Sequence, residues 1–258
     1  IKNRFSSYLF LLKGGSMKPN RIVMKVYGKY ALFTDPMTKI GGEKSSMMIP
    51  SYETLKGIVS SMYWKPSFNW VIESVKVLNP IRTERKGIRP IKYNGGNDLA
   101  YYTYLSDVAY IISAHFEFNK RRPDLQEDWN ENKHYYVAKR ALEKGGRRDI
   151  FLGARECPAY IEPGDMSEPG YYDDKGTLSF GLMYHSLCYP NQNDEGNLYS
   201  RFWHPQMENG IIHFCRPEEC ENTIFLRKGT KKELSNIPIL GVDKEELLSG
   251  YQEGGELQ

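Results

Sequence analysis

Apolar and polar residues alternate along Arg21–Phe33, with Ile22, Met24 and Val26 on one side, and this period of two predicts a strand. Pro50 and Ser51 then open a stretch in which Leu55, Ile58, Val59 and Met62 share one helical face. That helix should stop at Tyr63-Trp64-Lys65-Pro66, because proline lacks the amide hydrogen that helix continuation needs. Trp70–Leu78 reads as a second strand. Val108–Phe118 is the clearest third, with Val108, Tyr110, Ile112, Ala114, Phe116 and Phe118 in strict alternation. A second helix is expected from about Asn130 to Lys144, ended by Gly145-Gly146, and a fourth strand within Arg148–Tyr160.

Strand, helix, strand, strand, helix, strand is the split βαβ order, so the expected fold is α+β: a ferredoxin-like domain of the kind also used by RNA-recognition motifs. It is expected over residues 17–162. From 163 to 232 the pattern turns all-β, through Leu178–Tyr189, Leu198–Trp203, Ile211–Phe214 and Ile224–Leu226, and predicts a smaller antiparallel β subdomain. Residues 233–258 read as an acidic, mobile tail. Lys13-Gly14-Gly15-Ser16 before Met17 reads like a translated ribosome-binding site, so residues 1–16 are expected to be a non-native extension of a bacterial protein.

Composition changes the picture in one respect. The hydrophobic share of 40% and charged share of 26% are ordinary, but the chain holds 19 Tyr, 11 Phe and 4 Trp. Such a surplus suits surfaces that stack on flat partners, and it suits tyrosine-rich sheet equally. The net charge of +3 conceals an asymmetry: one Lys and six acidic residues give 233–258 a charge of −5, leaving +8 on residues 1–232. A basic body of this kind suggests a polyanionic partner. No run approaches the ~20 apolar residues of a membrane span, so a cytoplasmic protein without membrane contact is expected.

Candidate chemistry is sparse. Cys157, Cys188, Cys215 and Cys220 form no C-x-x-C pair, Cys215 to Cys220 is too open for a standard zinc knuckle, and reduced thiols are expected. No two histidines show a metal-motif spacing, and neither a metal nor another cofactor is expected. The second helix begins Asn132-Lys133-His134-Tyr135, a cation and an imidazole where helix amides favour phosphate. Lysine can neutralise a phosphate oxygen and histidine can move protons near neutral pH, although such a pair is commonly plain surface. Tyr63 at the end of the first helix could cap the core or share a cleft with the second helix. His115 is expected to be a hydrogen-bonded structural residue.

Basic residues interleave with aromatics and glycines elsewhere. Arg82, Arg85, Lys86, Arg89 and Lys92 lie in the long connection from Pro80 to Asp107, beside Tyr93, Tyr101, Tyr102 and Tyr104, and Gly145-Gly146-Arg147-Arg148 follows the second helix. That combination suits a surface that tracks a phosphate backbone and stacks bases.

Several blocks then carry a resemblance: Phe33-Thr34-Asp35-Pro36, Lys39-Ile40-Gly41-Gly42-Glu43-Lys44, Tyr63-Trp64-Lys65-Pro66, His115-Phe116-Glu117-Phe118-Asn119, Lys133-His134-Tyr135, and the run from Gly145 to Cys157. In this order they resemble the CRISPR-associated RAMP protein of the fifth Cas family, subtype I-C, also called Dvulg. The resemblance spans roughly Val23–Cys157 and is less specific in the β subdomain. It implies a metal-independent endoribonuclease that cuts CRISPR repeat RNA, the pre-crRNA, by 2′-hydroxyl attack. The products are a 2′,3′-cyclic phosphate and a 5′-hydroxyl. It also implies that the protein stays bound to crRNA among the other subunits of a type I-C surveillance complex in antiviral defence.

The family's catalytic tyrosine, lysine and histidine fall on Tyr63, Lys133 and His134. Lys39, Lys44, Arg85, Lys86, Arg89, Arg147 and Arg148 are the expected RNA contacts. Two other readings stand beside this one: a non-catalytic subunit holding the crRNA 5′ handle, and a zinc-stabilised nucleic-acid module resting only on the four cysteines.

Overall fold

A computed structural model describes residues 20–35, 38 and 42–229. Lys39, the 1–16 extension and the 233–258 tail lie outside the described residues. The chain forms an α+β fold of antiparallel sheet with few helices. Strands are β1 (Ile22–Ala31), β2 (Phe68–Val77), β3 (Thr83–Ile88), β4 (Ala100–Phe118), β5 (Ile150–Phe151), β6 (Pro158–Pro163), β7 (Thr177–Ser179), β8 (Met183–Cys188), β9 (Asn197–Trp203), β10 (Gln206–Glu208), β11 (Ile211–His213) and β12 (Asn222–Lys228). Two α-helices fall whole within the described residues, α1 (Tyr52–Met62) and α2 (Glu131–Glu143).

β4 is the axis of the large sheet, which runs β5-β6-β1-β4-β2-β11-β10-β7. Its 19 residues pair antiparallel with β1 on one side and β2 on the other. One face of β4 carries the predicted stripe, with Tyr110, Ile112, Ala114 and Phe116 under α1 and α2. α1 buries Leu55, Ile58, Val59 and Met62, and its N-cap is Ser51, whose hydroxyl accepts from the Thr54 amide. α2 is capped by Asn130 and buries His134, Ala138, Ala141 and Leu142.

Three features go beyond the sequence-based expectation. The connection from Pro80 to Asp107 is a hairpin: β3 pairs with the first part of β4 from Thr83↔Leu105 to Ile88↔Ala100. Strong turn chemistry at Gly95 and Gly96, both at φ +83°, closes the arm, whose exposed polar strands carry no core stripe to announce them. Second, the other face of β4 is also buried, at Ile111, Ser113 and His115. The segment after β6 contributes here, with Met166 packed near Leu78 and Ile111, and the Lys76 ammonium donating to the Glu168 carbonyl at 2.7 Å. Third, the expected β subdomain over 163–232 is divided. β11 pairs with β2, so β11, β10 and β7 extend the large sheet, while β12, β9 and β8 form a three-stranded sheet. Among the described residues the chain separates into one compact unit running to Leu187 and resuming over Ser200–Ile224, and a second made of Cys188–Tyr199 and Phe225–Gly229. Among the described residues no helix is long and apolar enough to cross a membrane.

Where β1 ends, the Leu32 amide donates to the Leu152 carbonyl at 2.9 Å, and Gly153 sits at φ +89° against the Leu32 backbone. A Cβ there would meet the Leu32 carbonyl oxygen at 2.1 Å. Gly145 has a similar φ of +81° and open space around it. Gly153→Ala should therefore lower unfolding stability by more than about 2 kcal/mol, whereas Gly145→Ala should cost only the ~1–2 kcal/mol of a left-handed Cβ. Urea unfolding of the two variants checks the order.

Candidate active site

Tyr63, Lys133 and His134 meet at the start of α2. Pro66 ends α1, Tyr63 becomes its C-cap in extended conformation, and the Trp70 indole donates to the Tyr63 carbonyl at 2.7 Å. Tyr63 is thereby turned inward, and its hydroxyl lies 2.8 Å from His134 Nδ1. The other imidazole nitrogen, Nε2, lies 2.7 Å from the Asp128 carbonyl oxygen. A carbonyl can only accept, so Nε2 carries the hydrogen, Nδ1 is the acceptor, and the Tyr63 hydroxyl donates to it. The His134 ring is 0% exposed, walled by Tyr63, Phe68, Phe116 and Phe118.

Asp128, which the sequence reading missed, organises this group. It lies in the short 3₁₀ segment Pro123–Asp128 ahead of α2. Its carboxylate accepts from the Lys133 ammonium at 2.6 Å and from the Ser67 hydroxyl at 2.6 Å. These bonds hold its pKa down at about 2. The same carboxylate raises the pKa of Lys133, whose side chain remains 55% exposed and fully charged at neutral pH. Burial raises the Tyr63 pKa, so its phenol keeps its proton. Only a spacing of five residues between Asp128 and Lys133 pointed to this pairing, and it crosses a helix boundary.

The expected RNA contacts divide into two places. Arg147 stands at the site: its guanidinium lies 4.8 Å from the centre of the Tyr63 ring, and its amide donates to the Met62 carbonyl. Arg148 follows it, exposed. Lys44, Arg85 and Lys86 are instead at the arm, over the rings of Tyr102, Tyr101 and Tyr30 at 5.0, 4.3 and 3.4 Å. Arg85 also pairs with Glu43 and Lys86 with Glu84. Arg89 is exposed just beyond β3. At ~3.3 Å per residue, the stretch of β4 from Tyr102 to Phe118 is on the order of 50 Å long. The arm cations therefore do not line the cleft of Tyr63 and His134.

Three of the other four histidines are committed elsewhere. His115 is buried with Nδ1 2.8 Å from Glu73 and Nε2 3.3 Å from Glu117, the structural role expected of it. His204 pairs with Glu221 at 2.6 Å. His185 is buried among Tyr52, Trp203 and Phe214, and that burial brings its pKa down to about 4.

The family model of the Cas5d type, described as CRISPR-associated protein (Cas_Cas5), matches residues 21–215. The chain belongs to the Cas5d family. It is 29% identical over 221 residues to a CRISPR pre-crRNA endoribonuclease Cas5d of Mannheimia succiniciproducens, covering 75% of this chain and 94% of that one. A protein of the same name from Thermus thermophilus is 28% identical over 64% of this Cas5d chain and 74% of its own. Among solved structures, one titled as a CRISPR-associated protein is 35% identical with a TM-score of 0.69, over 81% of this chain and all of that one. A functionally uncharacterized protein from Streptococcus mutans is 39% identical with a TM-score of 0.67, over 79% of this chain and 96% of that one.

Asp128 gives a pH signature. Its folded carboxyl titrates near 2, below the ordinary value of about 3.9, so its stabilising contribution is complete above roughly pH 4 and is lost as pH falls toward 2. Wild type should be more stable than Asp128→Asn by a constant margin from neutral pH down to about pH 5. The margin should shrink below pH 4, as read by urea unfolding across that range.

Proposed function

We propose that this protein is an endoribonuclease that cleaves CRISPR repeat RNA without a metal at the reacting phosphate, and that it remains on its crRNA product within a type I-C surveillance complex in the cytoplasm. The observation that carries the reading is the hydrogen-bonded group Tyr63–His134–Asp128–Lys133 at a helix N-terminus, in a chain similar to two named pre-crRNA endoribonucleases. The strand order β6-β1-β4-β2, with α1 and α2 on one face, supports reading this part of the chain as ferredoxin-like.

The ribose 2′-oxygen attacks the adjacent phosphorus, its bond to phosphorus forms, and the bond from phosphorus to the 5′-oxygen breaks. One proton must leave the 2′-hydroxyl and one must reach the 5′-oxygen. His134 Nδ1 is covered by Tyr63, which is itself buried, so RNA docking must uncover the phenol; its oxygen then exchanges the proton with RNA while Nδ1 takes or returns the tyrosine's own. The Asp128 carbonyl fixes the imidazole tautomer through Nε2. Lys133 and Arg147, both exposed, face charge growing on the phosphate oxygens. Lys133 leaves its Asp128 partner for the phosphate when RNA docks. Arg148 beside the site, and Lys44, Arg85, Lys86 and Arg89 on the arm, hold RNA backbone at a distance from the cut; Lys39 is assigned with them from the family resemblance alone.

His134→Ala should cut cognate repeat RNA at least ~10²-fold more slowly while binding it nearly as tightly, because the lost group moves protons and carries little affinity. RNA with 2′-deoxyribose at the scissile position should bind and stay whole, and brief EDTA treatment should leave the rate unchanged. His115→Ala should instead destabilise the fold by about 1–3 kcal/mol, by removing a buried ring and its hydrogen bonds to Glu73 and Glu117, which keep only Ser113, Arg21 and Arg216 as partners. Tight binding without cleavage by wild type would make the protein a crRNA-holding subunit only.

Affinity should also fall steeply with salt, by several units of log–log slope. Replacing Arg85, Lys86 and Arg89 together with Ala should flatten that slope without changing the cleavage rate of saturated enzyme. A nearly flat dependence for wild type would remove these residues from the RNA.

A further inference from the structure

Three side chains that the nuclease reading does not use converge elsewhere. His185 is on β8, Cys215 follows β11, and Cys220 follows the short turn Pro217–Glu219. One donor atom from each lies within 4.8 Å of the other two, and among the described residues this is the group of His, Cys and carboxylate donors that could hold a metal ion. We propose that His185, Cys215 and Cys220 bind one zinc ion, with water in the fourth position, as a clip holding β8 to the turn after β11.

Distance is the first argument. Zinc binds thiolate at about 2.3 Å, so two sulfurs on a tetrahedral zinc stand roughly 3.8 Å apart. The Cys215 and Cys220 sulfurs are 3.9 Å apart. A disulfide needs about 2.05 Å, which would require the sulfurs to close by nearly 2 Å. The Cys-x₄-Cys spacing, too open for a knuckle, is at the upper end of what zinc sites use.

The imidazole is held firmly beside the two cysteines. His185 is 0% exposed, stacked on Tyr52 at 4.5 Å between ring centres, with Trp203 and Phe214 at its edges. Its Nδ1 lies 3.0 Å from the Ser186 hydroxyl, and its Nε2 3.2 Å from the Cys215 carbonyl. A carbonyl can only accept, so in the metal-free protein Nε2 carries the hydrogen and Nδ1 accepts from the Ser186 hydroxyl; binding zinc through Nε2 shifts that hydrogen to Nδ1, where the Ser186 oxygen accepts it, and gives up the bond to the Cys215 carbonyl. A second-shell partner on the non-ligating nitrogen is the usual way a zinc-bound histidine is oriented. A ring fixed this firmly loses little freedom on binding.

The turn between the cysteines is also held in place. The Arg216 amide donates to the Glu219 carboxylate at 3.0 Å, and the Glu219 amide to the Arg216 carbonyl at 2.9 Å. The Arg216 guanidinium reaches Glu117 at 2.7 Å. Two thiolates balance the charge of Zn²⁺, so a part-buried site of this composition is neutral, and thiolate with imidazole selects zinc over magnesium or calcium. The ion sits outside the phosphate chemistry and acts on the fold: it anchors the turn whose arginine grips β4 at Glu117, between Phe116 and Phe118 of the His134 wall.

Elemental analysis of the full-length protein, produced with zinc in the medium, should give about one zinc per chain. Cys220→Ser and His185→Gln should each bring that to near zero, while Cys188→Ala keeps it. Titrating Co²⁺ into the chelated wild type should produce thiolate-to-cobalt charge-transfer absorption, which needs no variant to fold. A strong chelator should lower Tm by several degrees and added zinc should restore it. Wild type that holds no zinc and gives no cobalt band overturns the site. So does zinc content unchanged in Cys220→Ser, or thiols that close to a disulfide on mild oxidation with no metal bound.

Discussion

A neutral imidazole can lie deep in a protein only if both nitrogens find partners, and His134 finds them on two different segments: the Tyr63 hydroxyl at the end of α1 and the Asp128 carbonyl before α2. This requirement fixes the geometry of the candidate site. It brings the C-terminus of α1 to the N-terminus of α2, pulls the 3₁₀ segment onto the sheet, and sets Asp128 where it meets Lys133. The aromatic floor of Phe68, Phe116 and Phe118 comes from β2 and β4, so the sheet and both helices converge on one ring. Each hydrogen bond is worth about 1 kcal/mol net, but leaving either nitrogen unpaired would cost more than that.

The length of β4 imposes a second constraint. Its C-terminal end floors the candidate site, and its N-terminal end, paired with β3, lifts Arg85 and Lys86 away from it. An RNA that touches both must extend along the protein or be held by one region while another part is cut. In the proposed reaction, steering by the arm and chemistry at Tyr63 would then be separable. The cations on the arm rest on tyrosine faces, an arrangement that keeps long side chains extended while leaving their charge in water.

Much of this was legible in the residues. Strict alternation over Val108–Phe118, the one-sided apolar set of α1, Pro66 and the Gly145-Gly146 stop all fell where the elements form, because each rests on local chemistry. The β3–β4 arm was not legible as a hairpin, since its strands are exposed on both sides and carry no periodic stripe. The burial of Ile111, Ser113 and His115 on the other face was not legible either: Met166, after β6, packs near Ile111, and Arg21 and Glu73 bond Ser113 and His115, long-range contacts that no window along the chain contains. The separation of β7, β10 and β11 from β8, β9 and β12 has the same origin, in the pairing of β11 with β2 across more than a hundred residues. Position at the start of the second helix raised Lys133 and His134, and the family resemblance gave them and Tyr63 their expected catalytic roles. Their convergence is a tertiary fact, and Asp128 was missed because a carboxylate in a polar loop looks like any other.

The sealed position of His134 decides something that residue identity could not. An exposed histidine could meet RNA directly, and acid and base would be interchangeable between histidine and tyrosine. Here the nitrogen that can accept a proton, Nδ1, is covered by the Tyr63 hydroxyl, and the other is held by a main-chain carbonyl that cannot take part in transfer. Any proton reaching His134 along these bonds passes through Tyr63 oxygen. Tyrosine is a poor base alone at neutral pH, and burial makes it poorer still. In the proposed reaction its use would depend on losing its own proton to Nδ1 as it gains one from the ribose, so that the two residues would act as one group, and the cationic Arg147 beside the ring would favour any negative charge building on the phenol oxygen.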